Sequence, residues 1–216
     1  MIFSPMNEAN LIKLQTNKLI DGMAQLGLPT EQAAAIMAYL QLLQKWNKTY
    51  NLTAIDQLAD MVTHHALDAL AVLPWYTGQR IIDVGTGGGI PGFIIAIMCP
   101  DKSVTLLDAV GKKARFMRQV KRSLDLPNTE VVHARVENYF PDEKFDVVTS
   151  RAFAELSQFL RLTAHLGAEH AQYLAMKGPR HEPLDEGLGF AQVVVRDIQV
   201  PFLDEQRKLY QFKQTT

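Results

Sequence analysis

The segment Ile81-Ile82-Asp83-Val84-Gly85-Thr86-Gly87-Gly88-Gly89-Ile90-Pro91-Gly92 constrains the fold of this chain more than any other. A short apolar run closes on an acidic residue and passes into five glycines within the eight positions from Gly85 to Gly92. Phe93-Ile94-Ile95-Ala96-Ile97-Met98 then begins an apolar helix. A buried strand, a glycine turn and a helix start are the parts of an adenine-nucleotide-type pocket. Glycine reaches positive φ and lets a ligand approach backbone that a Cβ would shield. Pro91 suits the first helical turn, where its missing N–H costs nothing.

Two ligand classes compete for this turn. Gly87, Gly89 and Gly92 can be read as the G-x-G-x-x-G of a dinucleotide site, so a nicotinamide cofactor stays open on the motif alone. Against it, the glycines already begin at Gly85, giving G-x-G-x-G, and Asp83 stands two residues before them. Ile90 and Pro91 also lie where a pyrophosphate needs free backbone N–H groups. An acid closing the first strand followed by G-x-G-x-G resembles the first motif of class I S-adenosylmethionine (SAM) methyltransferases. That ligand carries an amino-acid moiety and no phosphate, so Gly85 and Gly87 are expected at a SAM site.

The net charge of −1 does not announce a polyanion binder, but its distribution is uneven. From Gly111 to Arg122 there are six basic residues (Lys112, Lys113, Arg115, Arg118, Lys121 and Arg122) and no acidic one. Such a run is either a nucleic-acid-facing edge, with Lys112, Lys113 and Arg115 leading it, or a solvated helix face. The single cysteine, Cys99, excludes an internal disulfide and a cysteine-rich zinc site and reads as a packed residue of the apolar helix. No metal site is evident. Charged and polar residues break Met1 to Asp21, so neither a signal peptide nor a membrane span is expected, and the address is cytoplasmic.

With 216 residues the chain suffices for one α/β unit. A helical extension is expected over 1–75 and the α/β core over 76–216. Helical spacing is seen over 6–26, with Gly27 to end it, and again after Thr30, which can cap a helix whose apolar stripe is Ile36, Met37, Leu40, Leu43 and Trp46. Asn47 to Thr53 reads as a polar break, and a third helix then runs to Pro74. After the glycine turn, Val104 to Asp108, Glu130 to Arg135, Phe145 to Ser150 and Tyr173 to Met176 read as strands, with a helix over Gln158 to Leu166. Two later β-like runs span Gln192 to Val200 and Leu209 to Phe212. The pattern predicts a Rossmann-like, mostly parallel sheet with an antiparallel edge. Ligands of such sheets sit at the strand C-termini, where Gly85, Asp108, Val136, Glu137 and Arg151 all fall. Asp108, 23 residues beyond Gly85, is placed to face ribose hydroxyls; its other reading is a cap for the basic helix.

Enzymes that methylate exocyclic amines carry an Asn/Asp-Pro-Pro-aromatic segment after the fourth strand. Here that position reads Ser150-Arg151-Ala152-Phe153-Ala154, and Cys99 is misplaced for covalent attack on a pyrimidine. A target with an available lone pair, such as guanine N7, needs no deprotonation. Positioning then supplies most of the rate, and no general base is expected.

At these residues the resemblance sharpens. The chain resembles the bacterial ribosomal small-subunit methyltransferase G family, also called glucose-inhibited division protein B. The shared segments, in order, are WNKTYNLTAI (Trp46 to Ile55), HHALDAL (His64 to Leu70), IIDVGTGGGIPG, LLDAVGKKARF (Leu106 to Phe116), ARVENY (Ala134 to Tyr139), SRAFA (Ser150 to Ala154) and AMKG (Ala175 to Gly178). The resemblance implies SAM-dependent methylation of guanine N7 in 16S rRNA; a monomer is expected, and naked rRNA, an assembly intermediate and the small subunit all stay open as the substrate. It implies SAM contacts at Gly85, Ile90, Val136, Glu137 and Arg151, and RNA or cofactor roles for Arg135, Arg151 and Lys177. His65 and Asp68 match a family pair, either catalytic or ordering the N-terminal segment. His64 stands where an arginine is frequent, and Gly88 replaces a small residue or proline. A nicotinamide oxidoreductase and a non-catalytic SAM-binding RNA protein are the two rival readings.

Overall fold

The computed structural model describes residues 7–151, 153–180 and 182–215. Met6 of the first expected helix and Ala152 of the SRAFA segment therefore lie outside the described residues.

Five strands, β1 (Arg80–Val84), β2 (Ser103–Asp108), β3 (Thr129–His133), β4 (Phe145–Arg151) and β5 (Gly167–Lys177), run parallel, and β6 (Phe190–Ile198) and β7 (Arg207–Gln214) are antiparallel additions. Their order is β3-β2-β1-β4-β5-β7-β6. The order reverses between β1 and β4, so their C-terminal ends open onto a crevice beside Gly85. Both sheet faces are covered, which explains the near-continuous apolar character of the parallel strands. Ile81, Val104, Leu106, Val147, Leu174 and Leu209 enter one buried cluster, and Ile82, Val84, Leu107, Val148, Tyr173 and Tyr210 the other.

The first cluster also holds the N-terminal helices α1 (Glu8–Gln25) and α2 (Ala33–Tyr50). Asn7 caps α1 by accepting from Asn10 N at 2.8 Å, and Gly27 ends it at φ +68°. The expected cap at Thr30 is not used: α2 begins three residues later, after a turn, and its preceding residue Gln32 makes no side-chain cap bond. The expected polar break is also corrected, because Asn47 to Tyr50 remain helical and Asn51 ends α2 at φ +48°. Asn47 looked like a loop residue because its amide serves a loop. Its Oδ1 accepts from Leu52 N and Thr53 N at 2.7 and 2.9 Å, and its Nδ2 donates to Ile55 O at 3.3 Å.

The third helix is not uniform. A first turn, α3 (Leu58–Met61), passes into a π-helical stretch, Val62–Leu67, before α4 (Asp68–Ala71), and Pro74 sits inside a short 3-10 turn, Leu73–Trp75. After the glycine turn come α5 (Gly92–Met98), with Pro91 immediately before its first residue, and α6 (Gly111–Ser123). Cys99 follows α5 and is only half-buried, not the packed helix residue expected. Arg135 falls just beyond β3, ahead of a 3-10 turn at Val136–Asn138. The last helix, α7 (Leu156–Thr163), starts two residues earlier than expected and ends sooner, because the chain must turn into a longer β5.

Candidate functional site

The glycine turn is held from three sides. Asp83, fully buried at the end of β1, accepts from Thr86 Oγ1 and from Gly92 N through Oδ2, tying the two ends of the turn together. Burial pushes its carboxyl up to about 7, and its other oxygen meets no partner among the described residues. From the helical layer, Tyr39 donates to Gly88 O at 2.7 Å, and Leu43 packs so closely that a Cβ on Gly88 would stand 3.1 Å from its methyl. From β2, Asp108 accepts from Gly87 N at 2.9 Å through Oδ2 and from Val110 N at 2.8 Å through Oδ1. Asp108 thus fixes the turn that leads into α6 without capping that helix, whose N-cap Val110 makes no side-chain cap bond, and it keeps a lone pair on each oxygen. Gly85 and Gly87 need their glycine freedom, at φ +66° and +64°.

Two cavities meet at this turn. The smaller, of about 230 Å³, is lined by Gly85, Asp108, Arg135, Val136, Glu137 and Phe153 among others. The larger, of about 980 Å³, is lined by Gly85, Gly87, Ile90, Lys113, Arg151 and Lys177, with a second wall made by Thr53, His64, His65 and Asp68. Gly85 and Ala154 border both. The expected cofactor residues are therefore brought together around Gly85 but divided between two compartments. The Phe153 ring lies against Gly85, with Cδ2 2.2 Å from where a Cβ would stand.

The basic residues separate into different roles. Arg115 and Arg118 are exposed on α6, whereas Lys113 turns toward Asp108 at 3.6 Å and Lys121 donates to Thr129 O. Lys112 and Arg115 border neither cavity. Arg135, expected with the RNA set, is exposed at the smaller cavity beside Glu137. Lys177 is turned inward, paired with Glu182 Oε2 at 2.9 Å and donating to Ala154 O, so it fastens β5 to the loop after β4.

Arg151 reaches back across the larger cavity to the π-helical stretch. Its Nη1 donates to His64 O at 2.8 Å and stands 3.5 Å from Asp68 Oδ2, while Nη2 stands 3.2 Å from His65 Nδ1. Asp68 also faces Arg207 Nε at 3.3 Å. Burial pushes the Asp68 carboxyl upward although both guanidinium groups pull it down. His65 is pushed down to about 3, first by burial and then by Arg151, so the imidazole is neutral at pH 7. Its pKa lies below its unfolded value, so only the unfolded chain takes up this proton as pH falls from about 6.5 toward 3, and stability falls over that window. Tyr39, Asn47, Thr53 and Arg207 were not singled out from sequence. Asn47 and Thr53 lie inside the WNKTYNLTAI segment, whereas Arg207 carries no local signal. Cys99 lines neither cavity, and among the described residues no group of three or more His, Cys, Asp or Glu could hold a metal ion.

The strand order, the glycine turn after β1 and the acid closing β2 define a Rossmann-like methyltransferase fold. Solved structures agree on the fold: a SAM dependent methyltransferase from Aquifex aeolicus superposes with a TM-score of 0.57 at 17% identity, covering 79% of this chain and 97% of that one. A putative O-methyltransferase from Klebsiella pneumoniae gives 0.55 at 12% identity, covering 82% and 90%. The sequence is more particular. The family model described as rRNA small subunit methyltransferase G, GidB, matches residues 32–210, and the chain belongs to that family. It is 50% identical over 203 residues to the Ribosomal RNA small subunit methyltransferase G of Chromobacterium violaceum, covering 91% of this chain and 96% of that protein. It is 48% identical over 194 residues to the protein of the same name from Laribacter hongkongensis, covering 87% and 93%. Membership sets the nicotinamide alternative aside.

Proposed function

We propose that this chain transfers a methyl group from SAM to N7 of a guanine in 16S rRNA. Family membership carries the reaction and its RNA, and the divided cavity around Gly85 carries the arrangement. Asp108 keeps lone pairs for the ribose hydroxyls, with Val136 and Glu137 beside it for the adenine and Gly85, Gly87 and Ile90 along the amino-acid end. Bound SAM supplies an electrophilic methyl group. The chain's own task is to hold the guanine in line, since N7 offers its lone pair without losing a proton. Arg151, anchored by His64 O, lines the wall of the larger cavity, where its charge suits a carboxylate or a guanine oxygen.

The same reading takes residues 1–75 and 76–216 as one methyltransferase unit, acting as a cytoplasmic monomer on rRNA within the small subunit or an assembly intermediate. The burial of α1 and α2 in the cluster that holds the sheet supports a single unit, and no described helix is long and apolar enough to cross a membrane. Labelled SAM incubated with small subunits from cells lacking this gene is expected to yield 7-methylguanosine on nucleoside analysis. Label on a different nucleoside would overturn the choice of atom and keep the cofactor.

The basic face of α6 is assigned to the RNA backbone, together with the exposed Arg135, whereas Lys177, held by Glu182 and the Ala154 carbonyl, orders the cavity wall. Replacing Lys112, Lys113 and Arg115 by alanine is expected to weaken RNA binding and to reduce the slope of log affinity against log salt by about 2. An unchanged slope would make α6 a solvated surface.

A further inference from the structure

The hydrogen-bond directions around His65 lead to a donor that faces the larger cavity. A guanidinium only donates, so the nitrogen that meets Arg151 Nη2 at 3.2 Å, His65 Nδ1, must offer its lone pair. Nδ1 also lies 3.2 Å from His64 O, but a proton placed there would confront the guanidinium N–H, and Arg151 Nη1 already donates to that carbonyl at 2.8 Å. The neutral ring therefore carries its hydrogen on Nε2, consistent with the depressed basicity of His65. Nε2 faces Thr53 Oγ1 at 3.1 Å and donates to it.

Thr53 Oγ1 receives a second hydrogen bond, from Ile55 N at 3.2 Å. A hydroxyl oxygen has two lone pairs, and both are now taken. Its one hydrogen has no acceptor among the described residues, and Thr53 lines the larger cavity. The loop that carries it is fixed from behind by Asn47, whose Oδ1 accepts from Leu52 N and Thr53 N. The chain Arg151 to His65 to Thr53 polarises every link in one direction, and it ends in a donor that points its hydrogen to water or to a ligand in the cavity.

We propose that Thr53 is a specificity-determining residue whose hydroxyl donates to O6 of the substrate purine. The proposal rests on the reading of this chain as a guanine-N7 methyltransferase. In a purine the six-position group lies beside N7 on the same edge. Guanine presents an acceptor there, whereas adenine presents an amino donor that would meet the Thr53 hydrogen head on. An obligate donor thus admits guanine and rejects adenine at the atom next to the one methylated. Asn47 and His65 are positioning residues for this donor.

The test uses Thr53→Val, which keeps the volume and removes the hydroxyl, and Thr53→Ser, which keeps the hydroxyl. Wild type and variants are assayed on small subunits lacking the modification, and on subunits reconstituted with 6-thioguanosine, a weaker acceptor, at the modified position. Thr53→Val is expected to lose about tenfold in kcat/KM on the guanine substrate, with SAM affinity by calorimetry unchanged and Thr53→Ser close to wild type. On 6-thioguanosine the wild type is expected to lose a similar factor and Thr53→Val little more. Nitrogen-15 NMR is expected to show His65 neutral, with its hydrogen on Nε2. Equal losses by Thr53→Val on both substrates, an Nδ1–H tautomer, or full activity of Thr53→Val would overturn the proposal. A fall in SAM affinity in Thr53→Val would hand the donor to the cofactor carboxylate and also overturn it. A wild-type product other than 7-methylguanosine would overturn the underlying reading itself, independently of what the variants do.

Discussion

Gly85→Val is expected to abolish SAM binding, with an affinity loss of more than about a hundredfold by calorimetry. Two effects add. At φ +66° a β-branched residue is strained, and the region costs a non-glycine residue about 1 kcal/mol or more. A Cβ would also stand 2.2 Å from Phe153 Cδ2, so the ring that borders the smaller cavity has to move, at the point where the two cavities meet. The obstacle is thus a side chain packed on the turn as well as lost access to the backbone. Thermal unfolding of the variant separates the two, since a folded protein without affinity locates the ligand at Gly85. Unchanged affinity would remove the proposed SAM site from this turn.

Asp68→Asn is expected to lower the unfolding free energy by about 3 kcal/mol, measured by urea titration. Its carboxylate has a side-chain exposure of 6% and stands between Arg151 at 3.5 Å and Arg207 at 3.3 Å. The amide leaves Arg151 without its carboxylate partner and Arg207 with only the exposed Glu205 at 2.8 Å, which is the costly way to break a buried pair. Arg207→Gln is expected to cost less, because Arg151 still neutralises the carboxylate. A loss below about 1 kcal/mol for Asp68→Asn would show that water already screens the group, as at a surface bridge.

The sheet was legible because each parallel strand is buried on both faces. Ile81 to Val84 and Val104 to Asp108 are apolar runs that stop at strand ends, and the glycines mark the crossing between them. The glycine-turn side of the candidate site was legible for the same reason, since Gly85 follows β1 directly, Asp108 closes β2 and Val136 stands three residues beyond β3. The opposite wall was not legible in the apolar pattern, although the family resemblance pointed to His65 and Asp68. The π-helical stretch at Val62–Leu67 keeps apolar spacing, so nothing in the pattern betrays the widened turn that presents His64 O and His65 to Arg151. Asn47 is polar because it serves a loop five residues on, which the pattern cannot distinguish from being in one. Lys177 reads as a surface charge until Glu182 and the Ala154 carbonyl are seen beside it. Contacts made over long chain separations, such as Arg151 with His64 across 87 residues, leave no local signature at all.

The position of β7 bears on the order in which this molecule can be finished during synthesis. β7 follows β6 in the chain but lies between β5 and β6 in the sheet, and it delivers Arg207 to Asp68. A polypeptide emerging from the ribosome can therefore form β1 to β5, the glycine turn and the Arg151 contacts while β6 still has no strand to pair with. Until residue 207 has been made and threaded into that gap, Asp68 faces a single guanidinium and one wall of the larger cavity stays incomplete. A nascent chain stalled before that point carries the glycine turn and the smaller cavity but only part of the larger cavity's wall.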